Sequence, residues 1–337
     1  VAERRLAEAI AKFEDIGDKG GLSWAYGLMA WIKFRLGDVP AADALVDRVL
    51  PEARERGDDW GEGMMLVLQS VMRLWAGKAA EAHDIARAAC ANFARIGDVF
   101  GEVQALAPLG RSLIALGRVE EGFGVLERML EVRGITEELR MMALTVVAGA
   151  ATHVGDPHRF PPELADPALG LDGGLGGDER LVALGLEALQ RGDAEEALAL
   201  LDKAGPPDAP HPYPQGAQAL ALVASGRPAE AVVAADEVIR SRRSTYLDRT
   251  NARVAKVLAA AHQGDRPATD VALAEAHGEV DVADDRVARA LVALAEAEAR
   301  ARLGDDVDAV APLRATADDA LARLGIGATG WKTAFAR

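Results

Sequence analysis

The sequence has few cysteines and few aromatic residues. Cys90 is the only cysteine, so no disulfide can form within the chain, and we expect it to lie in a reducing compartment. Aromatic residues make up 4% of the chain although 50% of it is hydrophobic. The excess consists of Ala, Leu and Val at helical spacing, which favours closely stacked helices over a core built on a sheet.

Basic residues and long apolar runs are also scarce. The chain has 38 Lys and Arg against 53 Asp and Glu, which gives a net charge of -15. A phosphate backbone would be repelled, so we expect no direct binding of nucleic acid by this segment. No apolar run approaches the ~18 residues that span a bilayer, and the first residues carry acids unlike a signal sequence. These features predict a soluble cytoplasmic chain without a membrane partner.

What the sequence does have is a regular series of glycines. From residue 17 to residue 117 every twentieth residue is glycine, namely Gly17, Gly37, Gly57, Gly77, Gly97 and Gly117. Four of them precede aspartate. Glycine can end a helix in the left-handed conformation, and the aspartate can accept hydrogen bonds from the first amides of the next helix. The pattern predicts two helices in every 40 residues, which is a repeat of helical hairpins.

The repeat is interrupted once. Four prolines and five glycines lie between Asp156 and Asp178, and no long helix can run through them. We therefore predict a regular N-terminal stack over 1–155, an irregular segment over 156–178 and a looser C-terminal stack over 179–337. The whole would be an all-α solenoid of about eight hairpins.

A second repeated position carries a family resemblance. Five residues after the turn glycines the chain has small residues, namely Ala42, Ala82, Gly122, Ala197, Ala231 and Ala309. Leu109-Gly110 and Leu184-Gly185 fall on the Leu-Gly step of the first helix. This pattern resembles the tetratricopeptide repeat over nearly the whole chain, with a unit of 40 residues instead of 34. The resemblance implies a right-handed solenoid whose first helices line a concave face.

A longer phrase resembles a particular group of repeat arrays. The stretch IGDVFGEVQALAPLGRSLIALGRVEEG looks like the C-terminal arrays of large ATP-dependent bacterial transcriptional regulators of the LuxR (MalT-like) and SARP (AfsR-like) types. In those families the array senses inducers or partner proteins. No residue of this chain belongs to their ATPase or DNA-binding motifs.

The usual signatures of catalysis and cofactor binding are absent from the sequence. Gly77-Lys78 is followed by Ala79, where a phosphate-binding loop would need a hydroxyl residue. His153, Asp156 and His158 could be metal ligands, but solvated loop residues are the favoured interpretation. We expect no enzyme activity, no cofactor and no metal site.

The apolar residues of the first helices allow two interpretations. Counting back from the turns places one set near the concave face, namely Trp24, Trp31, Phe34, Met64, Val67, Val71 and Trp75, with Gln104 and Arg111 as polar neighbours. Their helical spacing favours packing between helices, and an apolar groove is the alternative. Such a groove would take a partner protein, a peptide or a small apolar inducer.

The sequence therefore predicts a non-catalytic interaction or sensor module of a larger cytoplasmic bacterial regulator. Two alternatives stay open. One is a free-standing scaffold for protein assembly without a switching role, and the other is an accessory portion of an enzyme whose catalytic domain lies outside this chain.

Overall fold

A computed structural model describes residues 2–165, 177–204 and 215–336. In these ranges the chain forms seventeen α-helices and two short 3-10 turns, with no strand. The helices are α1 (Ala2–Ile16), α2 (Lys19–Arg35), α3 (Val39–Arg56), α4 (Asp59–Trp75), α5 (Ala79–Ile96), α6 (Val99–Ala115), α7 (Val119–Glu131), α8 (Glu137–Val154), α9 (Gly177–Arg191), α10 (Ala194–Leu201), α11 (Gln215–Ala224), α12 (Pro228–Arg240), α13 (Tyr246–His262), α14 (Arg266–Asp281), α15 (Arg286–Arg302), α16 (Val307–Arg323) and α17 (Thr329–Phe335).

Each helix packs mainly on its neighbours in the chain. The helices pair as hairpins, such as α2 with α3 and α4 with α5, and successive hairpins stack on one another. The predicted all-α solenoid of helical hairpins is confirmed. We call α1–α8 the N-terminal array and α9–α17 the C-terminal array.

The turns follow the predicted code. Gly57 has a φ of 67°, and the Asp58 side chain accepts a hydrogen bond from the amide of Gly61 at 2.9 Å. The other glycines of the predicted series also have positive φ, and Asp18, Asp38 and Asp98 cap their helices in the same way. A left-handed glycine followed by a capping aspartate thus recurs at several turns, including those at Gly17, Gly37, Gly57 and Gly97.

One predicted close-packing position was wrong. Ala309 is exposed, whereas Ala42 and Ala82 are fully buried at the equivalent place. The reason is the turn before α16, where the cap is Asp306, two residues after the turn glycine instead of one. The extra residue shifts the helix register, so that Val310 takes the buried position.

The core is made chiefly of small and branched apolar side chains. One buried cluster joins α6 to α17, and a second joins α2 to α6. The partly buried Cys90 packs against both clusters, and burial raises the pKa of its thiol to about 11. A thiol held protonated in this way is a packing residue and a poor nucleophile at neutral pH.

The irregular segment after α8 lacks a second helix in its described part. It contains the 3-10 turns Pro157–Arg159 and Pro162–Ala165. The buried guanidinium of Arg180 on α9 donates to the Leu164 carbonyl oxygen at 2.7 Å, which holds the second turn against α9. The rest of the predicted irregular segment up to 176, and the Pro-rich stretch 205–214, lie outside the described residues.

Candidate functional site

The solenoid has two rows of turns on opposite edges. The within-hairpin turns join the first helix of a hairpin to the second, as at Gly37 and Gly77. The between-hairpin turns join one hairpin to the next, as at Gly57 and Gly97. In the N-terminal array these two rows have different surroundings.

The within-hairpin turns of the N-terminal array lie against the C-terminal array. A Cβ added to their glycines would meet a C-terminal residue in each case: Arg243 at 2.4 Å from Gly37, Tyr246 at 3.0 Å from Gly77, Leu324 at 2.7 Å from Gly117 and Trp331 at 2.5 Å from Gly155. Only glycine fits so close an approach. We call this line of contacts the seam.

Asp284 binds the middle of the seam. Its amide donates to the carbonyl oxygen of Gly77 at 2.9 Å, and its carboxylate accepts from the amide of Ala80 at 3.1 Å. Ala80 lies in the first turn of α5, and the N-cap residue of that helix, Lys78, makes no capping bond with its side chain. The carboxylate from the C-terminal array thus replaces the aspartate that the turn code lacks here.

Trp331 closes the far end of the seam. The indole Nε1 donates to the carbonyl oxygen of His153 at 3.0 Å, and the amide of Gly330 donates to the carbonyl oxygen of Gly155 at 3.0 Å. Trp331 is 3% exposed. Packing and two hydrogen bonds therefore fix α17 to the end of α8.

Charged groups meet behind the seam. His153 Nε2 lies 3.3 Å from the buried carboxylate of Asp285. Arg111 on α6 faces Asp248 and Asp285 from the opposite array, and burial lowers the pKa of its guanidinium. Burial also raises the pKa of the Asp248 carboxyl to about 6. These groups form a network of charged and polar side chains from both arrays behind the seam.

The residues predicted to form one groove lie in different parts of the structure. Phe34, Met64 and Val67 are buried in the core between helices, and the Phe34 ring lies 4.1 Å from the ring of Trp75. Val71 is half-buried beside them. Gln104 is half-buried with its amide 3.3 Å from the Met142 sulfur, and Arg111 faces the network just described.

Trp31 lines an open groove between α1 and α2, and Trp24 lies on α2 outside its lining. Trp24 is 58% exposed, and Trp31 is half-buried. The α1–α2 groove has a volume of about 600 Å³ and is lined by Ala2, Arg5, Leu6, Leu28, Trp31, Ile32, Arg35 and Leu36. Its floor is apolar, and arginines stand at its rim.

A comparison with the next hairpin explains why the groove is open. Leu28 is 38% exposed, but its equivalent 40 residues later, Leu68, is fully buried. On α4 the stripe that contains Leu68 packs on α2, since Trp75 of that stripe contacts Phe34. The same stripe of α2 lies beside α1, and Arg35 near its end pairs with Glu179 of α9. The groove is thus the place where a further helix would fit.

Polar groups at the groove can recognise an occupant. The Trp31 Nε1 is buried and has no hydrogen-bond partner among the described residues. Arg35 is paired with Glu179 of α9 at 2.9 Å, and both side chains are partly exposed. In a chain of net charge -15, Arg5 and Arg35 are thus two cations beside an apolar floor.

Sequence reasoning missed most of this groove. It selected Trp31 but not Leu28, Ile32 or the arginines. A signal was present, because aligning the first hairpin on the second places Leu28 and Ile32 over the buried Leu68 and Met72. Apolar residues at the positions that pack between hairpins elsewhere in a repeat array are the signal for this face.

The described ranges also bear on two other kinds of site. No group of three or more His, Cys, Asp or Glu side chains there is arranged to hold a metal ion. None of the helices described is long and apolar enough to cross a membrane.

Comparison with solved structures finds likenesses to this chain in structure. A tetratricopeptide repeat protein from Parabacteroides merdae is similar in structure, with 13% identity and a TM-score of 0.46, over 88% of this chain and 99% of that chain. At that identity and score the likeness carries no functional assignment. No protein-family model matches the sequence, and no curated protein does.

Proposed function

We propose that this chain is a non-catalytic interaction module that binds an amphipathic helix of a partner protein in the α1–α2 groove. The observation that carries the proposal is the exposure of Leu28 where the equivalent Leu68 is buried. An apolar stripe of this kind is stable in water only at a cost, and covering it by a partner removes that cost.

The array itself indicates a helix as the occupant. The equivalent stripe of α4 is covered by an α-helix, α2, which lies beside α3. A partner helix in the groove would repeat this packing, with apolar residues at spacings of three, four and seven.

The rim indicates the charge of the occupant. Arg5 and Arg35 flank the apolar floor, and Arg35 already pairs with a carboxylate. A partner helix with Asp or Glu near one end would offer complementary charge, whereas a basic helix would meet two cations. The unpartnered Trp31 Nε1 could donate to an acceptor on the same helix.

A display library of helical peptides, panned against the whole chain, tests this proposal. We expect the selected peptides to be acidic and amphipathic, and Leu28→Glu to weaken their binding by at least about tenfold, or 1.4 kcal/mol. Val233→Glu is the matched control, because Val233 is also exposed, at 62%, but lies far along the chain on α12. Peptides that bind the folded Leu28→Glu variant as tightly as the original would contradict the proposal.

Intrinsic fluorescence gives a second measurement at the same place. Trp24→Ala and Trp31→Ala should each reduce the change in emission on binding, and Trp31→Ala should also weaken binding because it lines the groove. Unchanged affinity in both folded variants would remove the groove as the binding site.

The finer proposal concerns the context of the module. We propose that it belongs to a larger cytoplasmic bacterial regulator, as the sequence resemblance implies, with occupation of the groove as the signal. A small apolar inducer is the second candidate occupant, because about 600 Å³ is within the range of small-molecule sites. An upstream phosphate-binding loop and a helix-turn-helix in the complete reading frame would support a regulator over a scaffold.

A further inference from the structure

One carboxylate of the C-terminal array lies at the rim of the α1–α2 groove. Glu179 Oε1 accepts a hydrogen bond from Arg35 Nη1 at 2.9 Å, although the two residues are 144 apart in the sequence. Arg35 is also one of the residues that line the groove. The guanidinium that an acidic partner would meet is therefore already in contact with an acid of the same chain.

Glu179 is held at the rim because α9 is anchored at both ends. The next residue, Arg180, is buried, and its guanidinium donates to the Leu164 carbonyl oxygen at 2.7 Å. Near the other end of the helix, the buried Gln190 amide donates to the Thr152 carbonyl oxygen at 2.7 Å. These buried hydrogen bonds do not depend on the Glu179 side chain. Its carboxylate can leave the guanidinium by side-chain rotation and still remain close to it.

The pair between Arg35 and Glu179 is open to exchange. The two side chains are 47% and 30% exposed, and one hydrogen bond joins them. A pair that stabilises the C-terminal array is built differently, since Glu279 is 13% exposed and binds Arg249 at 2.9 Å and Arg253 at 3.0 Å. A single pair between partly exposed side chains contributes little to stability, so another carboxylate can replace one member.

A second donor lies on the same side of α2. Trp31 and Arg35 are four residues apart on this helix, which places them on one face. Both line the groove, and the Trp31 Nε1 is buried without a hydrogen-bond partner among the described residues. An indole N–H and a guanidinium both donate to carboxylate oxygens. An acidic partner in the groove thus meets a donor that Glu179 does not bond.

We propose that Glu179 is an internal competitor for acidic partners of the groove. It binds Arg35 in the free chain, and a carboxylate of the partner takes its place. The proposal rests on the proposed function, because it requires an acidic helix in the groove. Glu179 also repels an incoming carboxylate, so competition and repulsion both weaken the binding of acidic partners. A partner must therefore cover the apolar floor and carry an acid to displace Glu179.

Two peptides with the whole chain test this proposal. One is an acidic helical peptide selected by panning, and the other is the same peptide with every Asp and Glu replaced by Asn and Gln. Glu179→Gln should tighten binding of the acidic peptide by about two- to fivefold at low salt, which corresponds to the strength of an exposed ion pair. It should leave the affinity of the uncharged peptide unchanged. Added salt should reduce the gain, because salt screens exposed charges.

Two further variants show whether the effect passes through the guanidinium. Glu187→Gln is the matched control, because Glu187 lies two turns further along α9 and pairs with Arg191 at 2.7 Å. It should change neither affinity. Arg35→Gln should weaken binding of the acidic peptide and cancel the effect of Glu179→Gln, so that the double variant binds like Arg35→Gln alone. Circular dichroism checks that each variant is folded.

Leu28→Glu separates this proposal from the one on which it rests. If it weakens binding but Glu179→Gln does not tighten it, the groove is the binding site and the competition is overturned. An equal gain for both peptides, or a gain that persists beside Arg35→Gln, also overturns the competition. If Leu28→Glu leaves binding unchanged, or panning yields no acidic peptide, the proposed function is contradicted and the competition with it.

Discussion

The two rows of turns in the N-terminal array have the same backbone and different roles. Gly57 and Gly77 have φ values of 67° and 78°, and each ends a helix. Yet Gly57 has no described neighbour within 4 Å of an added Cβ, while Gly77 lies beneath Tyr246 and Ala283. The glycine turns recur every 20 residues in the sequence. The contacts with the C-terminal array recur every 40 residues, because only alternate turns reach the seam.

The test with the largest expected effect replaces two tryptophans, one in each row, by alanine. Trp331→Ala removes a buried side chain and its hydrogen bond to His153, and should lower the free energy of unfolding by about 3–5 kcal/mol. Trp60→Ala removes a side chain on the open edge and should cost less than about 1 kcal/mol. Urea unfolding at low protein concentration measures both. Equal losses would mean that the seam is no better packed than the open edge.

The second test uses pH at the network behind the seam. The Asp248 pKa is raised to about 6 from 3.8, so the folded state holds its proton more tightly than the unfolded state. The contribution of this carboxyl is therefore most favourable below pH 3.8, decreases as pH rises to about 6 and is constant above that.

Asp248→Asn removes this dependence. Relative to the original chain, the variant should gain stability between about pH 4 and pH 6, by up to about 3 kcal/mol. The measurement is the difference in the free energy of unfolding at a series of pH values. A difference that stays constant across that range would show that Asp248 is not held in a desolvated place between the arrays.

The third test compares two glycines of the opposite rows. Gly57→Ala forces a left-handed alanine and should cost about 1 kcal/mol. Gly155→Ala adds the same strain and a methyl group 2.5 Å from the Trp331 ring, so it should cost about 2 kcal/mol more. Thermal or urea unfolding of the pair measures the difference. The same cost at both sites would contradict a closed edge at Gly155.

The smallest effect concerns the cap supplied across the seam. Asp284→Ala leaves the Ala80 amide without its acceptor and should cost about 1 kcal/mol. In that variant, Lys78→Asp should recover most of the loss, because it restores the local capping code. In the original chain the same Lys78→Asp change would place a second carboxylate beside the one that already caps Ala80, and should add little stability. Additive effects of the two substitutions would exclude a shared capping role.

The sequence is sufficient to predict the elements that rest on local chemistry. Gly57-Asp58 has the turn and the cap that its residue types favour, and the buried Ala42 allows the close helix packing that its size favours. The same reasoning fails at Ala309, where one additional residue in the turn shifts the register. Local patterns predict local structure only while the spacing is kept.

The seam and the groove could not be predicted in the same way. Ala80 and Asp284 are 204 residues apart in the sequence. No periodic feature of the sequence marks Asp284 as the residue that contacts Ala80. For the predicted groove, an apolar stripe at helical spacing is the same sequence pattern whether a neighbouring helix covers it, as at Val67, or leaves it open, as at Leu28. In the described structure, α2 packs on α4, and this contact between hairpins appears only in the tertiary structure.

Backbone hydrogen exchange tests the central claim that alternate turns are closed by the opposite array. The amides of Asp284 and Gly330 donate to the carbonyl oxygens of Gly77 and Gly155 across the seam. They should exchange as slowly as amides in the middle of α6, and Trp331→Ala should make the Gly330 amide exchange fast while the helices remain protected. Fast exchange of both amides in the original folded chain would contradict the seam.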